Sequence, residues 1–165
     1  MRLLLAVIFV IFVTLLGGAA AKAGDPDGFG MWKAADFQAH EKALDQKIRA
    51  DHSARETLGD YSNHRIRMIH RVGTGAPEFH TNYVDLWVVE SGHATLVVGG
   101  TLVDAKSSGG DGEMRGEMSG TGITGGERHE ISAGDVIHIP AKTPHQALVP
   151  EGGEVTYLRI VIAAQ

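Results

Sequence analysis

Gly134-Asp135-Val136-Ile137-His138-Ile139-Pro140-Ala141-Lys142-Thr143-Pro144-His145-Gln146 is the stretch on which the fold turns. A short β-branched run is entered from a Gly-Asp turn and left through a segment bounded by two prolines, the punctuation of a strand. Runs of the same kind flank it at His64–His70, Val84–Glu90, Ala94–Val98, Gln146–Val149 and Val155–Ile162, separated by Gly, Pro and Asn turns. Many short strands with no helix between them predict an all-β sandwich or barrel.

A second polar stretch lies upstream, from Glu78-Phe79-His80 through Asp85-Leu86-Trp87 to Glu90-Ser91-Gly92. One histidine precedes a strand there, a carboxylate sits on it, and a second histidine follows the proline turn at Pro144. Converging inside a barrel, His80, Asp85 and His145 would offer two imidazoles and one carboxylate. Fe(II), Mn(II) and Zn(II) accept that set, and it leaves open positions for substrate or oxygen. Spacing alone leaves the metal-free alternative open.

The two stretches resemble the paired motifs of the cupin superfamily, a small antiparallel jelly-roll barrel. The second motif, G-D-x-x-x-x-P-x-x-x-P-H, is filled by Gly134, Asp135, Pro140, Pro144 and His145. The first normally reads H-x-H, three or four residues, E, six residues, G. His80 stands for its first histidine, Asp85 for the glutamate and Gly92 for the glycine, which leaves Asn82 where a second histidine belongs and a gap one residue short. Lys142 replaces a usual glycine, and Val149 a distal asparagine. The match covers about residues 60–165 and is nearest the small single-domain cupin-2 type. It implies a jelly-roll barrel in which His80, Asp85 and His145 hold a divalent metal ion (Fe, Mn or Zn), a small-molecule ligand, and a homodimer. Oxygenase, decarboxylase and isomerase chemistries all occur in the superfamily, and fold does not choose among them. A non-catalytic, metal-free barrel binding a small ligand is the alternative.

Three further residues belong to this reading. His138 shares a strand face with Val136, and if that face is the interior it is either a fourth ligand or a base near the substrate. Trp87, two residues from Asp85, shares its face and would either floor a pocket or pack in the core, the default for a lone Trp. Arg159 would meet an anionic ligand if the last strand turns it inward. His93 and His129 read as solvated, and His64 and His70 share one face of a strand that also carries Arg65, Arg67 and Arg71.

The 165 residues suffice for one domain and contain no cysteine, which excludes disulfides, thiolate zinc sites and a cysteine nucleophile. Met1-Arg2, an apolar run from Leu3 to Leu16 and small residues ending at Ala23 read as a cleavable signal peptide, residues 1–23, directing the protein to the periplasm or outside the cell. An uncleaved membrane anchor over residues 3–21 is the lesser alternative. The mature chain would carry 13 basic against 20 acidic residues, a net charge of −7. That charge, with no basic run, argues against a nucleic-acid partner. Residues 24–59 read as a linker and helical segment, from about Trp32 to Leu58, with Asp36 as N-cap and Gly59 as stop; His40 and His52 are taken as solvated helix residues. Ten glycines lie in the 28 residues from Gly99 to Gly126, which predicts a flexible loop over about 104–126, acting as lid or tether.

Overall fold

The structure, a computed structural model, describes residues 24–108 and 116–164. The signal-peptide segment 1–23 and part of the glycine-rich segment, 109–115, lie outside the described residues. One helix, α1 (Ala34–Asp45), is followed by β1 (Ser53–Asp60), β2 (His64–Arg71), β3 (Glu78–His80), β4 (Tyr83–Val98), β5 (Thr101–Val103) and β6 (Lys106–Ser107). Then come β7 (Glu117–Ser119), β8 (Gly122–Thr124), β9 (Glu127–Ser132), β10 (Val136–Ile139), β11 (His145–Leu148) and β12 (Val155–Ala163). The fold is all-β with one short N-terminal helix, its antiparallel sheet curled into a half-barrel. No helix among the described residues is long and apolar enough to cross a membrane.

The 16-residue β4 organises the curl. Its first half pairs with β12 and β10, and its second half with β9 and β11. The changeover falls at Gly92, where φ is +71° and a Cβ would collide with the Glu154 carbonyl oxygen. Only glycine meets both demands, so the closing glycine of the first motif is a hinge between two halves of the sheet. Inside the curl, Ile69, Trp87, Val89, Leu96, Ile139 and Tyr157 belong to one buried cluster.

The helical reading from Trp32 to Leu58 is too long. The helix ends at Asp45, its N-cap is Lys33, and Asp36 lies in the first turn. Ser53–Asp60 is a strand paired with β2, so the sheet begins seven residues before position 60, and Gly59 marks a register shift within β1. Arg55-Glu56-Thr57-Leu58 has adequate helix propensity, but the exposed edge of β2 offers a full ladder of hydrogen bonds, and tertiary pairing overrides propensity. His52 lies in the turn before β1 with φ of +57°, and His40 reaches across to Glu56 Oε2 at 2.9 Å. The segment 104–126 is likewise less open than expected: β6, β7 and β8 lie within it.

The outer face of β1, β2 and β12 is covered by α1. Leu44, Ala54 and Met68 are buried there, with Phe37, Ile48, Leu58 and Leu158 packed around them. Along β12 buried and half-buried residues alternate from Tyr157 to Ile162, and the outward positions there stay half-buried rather than exposed. Leu44→Ala should cost about 2–5 kcal/mol in denaturant unfolding, the range for emptying a fully buried leucine site. A cost near zero would mean that the helix is not docked.

Candidate metal centre

Four side chains meet inside the curl. Glu78 and His80 are two residues apart on β3 and therefore face the same way. Asp85 lies near the start of β4, and His145 opens β11 directly opposite Glu78 in the β3–β11 register. Their ligand atoms all lie within 4.8 Å of one another. Asp85 Oδ2 is 3.4 Å from both His80 Nε2 and His145 Nε2, and Glu78 Oε2 is 3.5 Å from His80 Nε2 and 3.9 Å from His145 Nε2. His80, Asp85 and His145 are buried, and Glu78 is the partly exposed member.

The protonation pattern follows from the donors. His145 Nδ1 lies 3.0 Å from the Thr143 carbonyl oxygen, which can only accept, so Nδ1 carries the proton and Nε2 presents its lone pair to the cluster. His80 Nε2 lies 2.7 Å from Arg159 Nη2, and a guanidinium only donates, so that nitrogen is the acceptor whenever the imidazole is neutral. Its Nδ1 is 3.3 Å from Glu117 Oε1 on β7, the outer carboxylate that metal-binding histidines commonly face. His145 Nε2 and Asp85 Oδ1 are buried without a hydrogen-bond partner. Buried polar atoms are nearly always satisfied. A divalent ion with bonds of about 2.1 Å sets neighbouring donors about 3.0–3.4 Å apart. The separations to Asp85 Oδ2 fit that value, and such an ion would satisfy the orphaned imidazole, so the residues fit a metal.

Arg159 is the fifth member. Its partner across the ladder is Trp87, on the interior face, and its side chain is buried. Nε donates to Asp85 Oδ2 at 2.9 Å, and Nη2 lies 3.8 Å from Glu78 Oε2. Burial would raise the carboxyl pKa of Asp85 and Glu78, but Arg159 and the two histidines hold both well below the usual carboxylate range. Burial would lower the pKa of His80, yet the carboxylates of Asp85, Glu117 and Glu78 around it outweigh that and raise the value to about 10. A proton on His80 Nε2, the Arg159 guanidinium and a metal ion therefore compete for one electronegative point.

Comparison with solved structures finds the same kind of barrel. Cupins are among its structural neighbours. A cupin-2 conserved barrel domain protein from Rhodopseudomonas palustris is 21% identical, with 68% of this chain and 62% of that one covered at a TM-score of 0.46. KdgF from Halomonas sp. is 14% identical, with 72% and 85% covered at 0.48. The polyketide cyclase RemF from Streptomyces resistomycificus is 16% identical, with 69% and 66% covered at 0.47. No family model matches the chain, and no curated protein does.

The structure groups Glu78 with His80, Asp85 and His145, and the first motif can equally be aligned with Glu78 at its first histidine and His80 at its second. Four residues then separate His80 from Asp85, within the motif's spacing, and the missing residue disappears. Asn82 is exposed in the β3–β4 turn. The readable signal for Glu78 was its position two residues before His80 on the same strand. Lys142, where the motif has glycine, takes φ of +62°, and its N–H donates to the His80 carbonyl at 2.7 Å. The substituted turn thus still anchors a ligand strand.

Two expected roles are corrected. His138 is exposed. Its neighbour Ile139 pairs with the inward-facing Asp85, so alternation turns His138 to the outer face, where it cannot serve as an interior base. Trp87 is in the core, stacked on Tyr157 at 4.3 Å between centroids and set edge-on to His145 at 5.7 Å. It supports His145 from behind. A cavity of about 270 Å³, with Arg55, Arg71, Glu78, His80 and Glu117 in its walls, opens onto the cluster, and neither Trp87 nor Arg159 lines it.

Proposed function

We propose that this chain is an exported barrel that binds one divalent metal ion on Glu78, His80, Asp85 and His145 and acts on or senses a small, oxygen-rich anion. One observation carries the reading: two buried imidazoles turn their Nε2 atoms toward the same point, beside two carboxylates. The ion would supply a Lewis-acid or redox centre. The carbonyl of Thr143 fixes the tautomer of His145, Glu117 faces His80 Nδ1, and Arg159 balances Asp85. Glu78 stands at the cavity side, where an arriving molecule meets the cluster.

Charge favours an anion as that molecule. With both imidazoles neutral, as metal ligation requires, the carboxylates Glu78, Asp85 and Glu117 face the guanidinium groups of Arg67, Arg71 and Arg159, and the charges cancel. A divalent ion would leave two positive charges, and a carboxylate or enolate would offset them. Oxygenase, decarboxylase and isomerase chemistries are the span that the cupin resemblance implies.

Metal-depleted protein dialysed against Mn(II), Fe(II) or Zn(II) should take up a single equivalent, and His145→Ala should take up almost none. Equal uptake by both would overturn the site. A second reading is favoured by the short contacts of Arg159: the guanidinium stands in for the ion, and the barrel binds its ligand without metal. Absence of uptake by the wild-type protein supports that reading. Export rests on residues 1–23, and N-terminal sequencing of the exported protein should begin at Gly24. An intact Met1 would contradict it.

A further inference from the structure

On the opposite side of the sheet, between α1 and the outer face of β2, lies a larger cavity of about 580 Å³. That is within the range of small-molecule sites. Four carboxylates line it, from Glu41, Asp45, Glu90 and Glu154, against the single cation of Lys42. The ring of Phe37 forms part of the wall. Glu41 is held in place by the Ser91 hydroxyl, which donates to its carboxylate at 2.9 Å.

An acidic lining alone would mean little, but one buried side chain points into it. The His70 side chain is only 1% exposed. Its Nδ1 is 2.9 Å from Thr156 Oγ1, while Nε2 is buried with no hydrogen-bond partner. That Nε2 lies 3.9 Å from Asp45 Oδ1 and 4.0 Å from Glu154 Oε2. In the tautomer that donates its Nδ1–H to the Thr156 hydroxyl, Nε2 and the two carboxylate oxygens are three acceptors facing one another across the cavity wall.

The separations discriminate between cations. An ammonium nitrogen about 2.8 Å from each acceptor sets the acceptors about 4–4.6 Å apart. A directly bound metal ion requires about 3.0–3.4 Å, the spacing around Asp85 in the barrel interior and shorter than the spacing here. The volume also exceeds what an ion needs, and an aromatic wall suits an alkyl-ammonium chain. Burial raises the Glu90 carboxyl pKa.

We infer that this outer cavity is a binding site for a small organic amine, whose ammonium group donates to His70 Nε2, Asp45 and Glu154 while its chain lies along Phe37. A second ammonium at the other end would meet Glu41 and Glu90, which makes a diamine the best-matched ligand. The inference is independent of the metal centre, which lies on the inner face.

The probe is 1,4-diaminobutane, titrated calorimetrically into the purified protein. Asp45 and Glu154 are both more than half exposed, so Asp45→Asn with Glu154→Gln should fold normally. Saturable binding by the wild-type protein, weakened on the order of tenfold or more in the double variant, is expected from the loss of two charge-assisted hydrogen bonds. Imidazole ¹⁵N spectra should show the His70 Nε2 resonance moving during the titration. No saturable binding at millimolar diamine would overturn the inference. So would binding that the double variant retains, or a site that takes Zn(II) through these residues and ignores the diamine.

Discussion

Arg159→Met should cost the metal-depleted protein about 3–5 kcal/mol of stability, the usual penalty for removing one partner of a buried ion pair. Methionine preserves length and apolar bulk but removes the only group hydrogen-bonded to Asp85 Oδ2 among the described contacts, as well as the donor to His80 Nε2. The buried carboxylate of Asp85 and the partly exposed one of Glu78 would then share a site without the Arg159 guanidinium between them. A divalent ion supplies the missing charge, so metal should raise the unfolding midpoint of the variant more than that of wild type. Stabilisation by a ligand grows with its affinity for the native state, and the variant has lost the cation that competes for the same point. Denaturant unfolding with and without a chelator reads both effects. A variant as stable as wild type in chelator, or one indifferent to metal, would show that Arg159 and the ion do not exchange places.

Asp85→Asn should have the opposite metal response. The change is nearly isosteric and removes a charge from the centre, leaving Arg159 and His80 facing an amide. The metal-depleted variant should lose a similar amount of stability, about 3–5 kcal/mol. Metal should not restore it, because a first ligand is gone, and affinity should fall by more than the roughly hundredfold upper limit for losing an outer partner. The pH dependence separates the effect further. The folded-state pKa of Asp85 is lowered. Its contribution is therefore in place above the unfolded carboxylate value of about 4 and is lost as pH falls through the folded value. Removing the carboxylate should flatten the acid side of the stability profile measured in chelator. A profile unchanged from wild type would mean that Asp85 is not held ionised by its neighbours.

These two residues also mark what could be read in advance. Asp85 was legible because its distance to Gly92 is that of a motif and because its strand alternates clearly. Arg159 was legible only as a conditional, since its direction depends on which face of β12 meets Trp87, and no local pattern states a register. His138 shows the same limit from the other side. Val136 and Ile137 are both apolar, so β10 has two plausible inner faces, and the pairing of Ile139 with Asp85 decides between them. Glu78 was missed for a different reason. A carboxylate two residues before His80 satisfies strand parity as well as a histidine would, but a motif written for histidine does not register it. The strand at Ser53–Asp60 was hidden because an edge strand borrows its hydrogen bonds from β2, and nothing in Arg55-Glu56-Thr57-Leu58 announces the neighbour.

The most direct measurement is anomalous diffraction from crystals of the wild-type protein grown with Zn(II) or Mn(II), recorded on either side of the metal edge. The account predicts one strong peak inside the curl, bonded to His80 Nε2, His145 Nε2 and Asp85, with Glu78 in reach and the Arg159 guanidinium withdrawn from His80. A barrel without a peak, in which Arg159 still bridges Asp85 and His80, would contradict it and assign the centre to a metal-free ligand site.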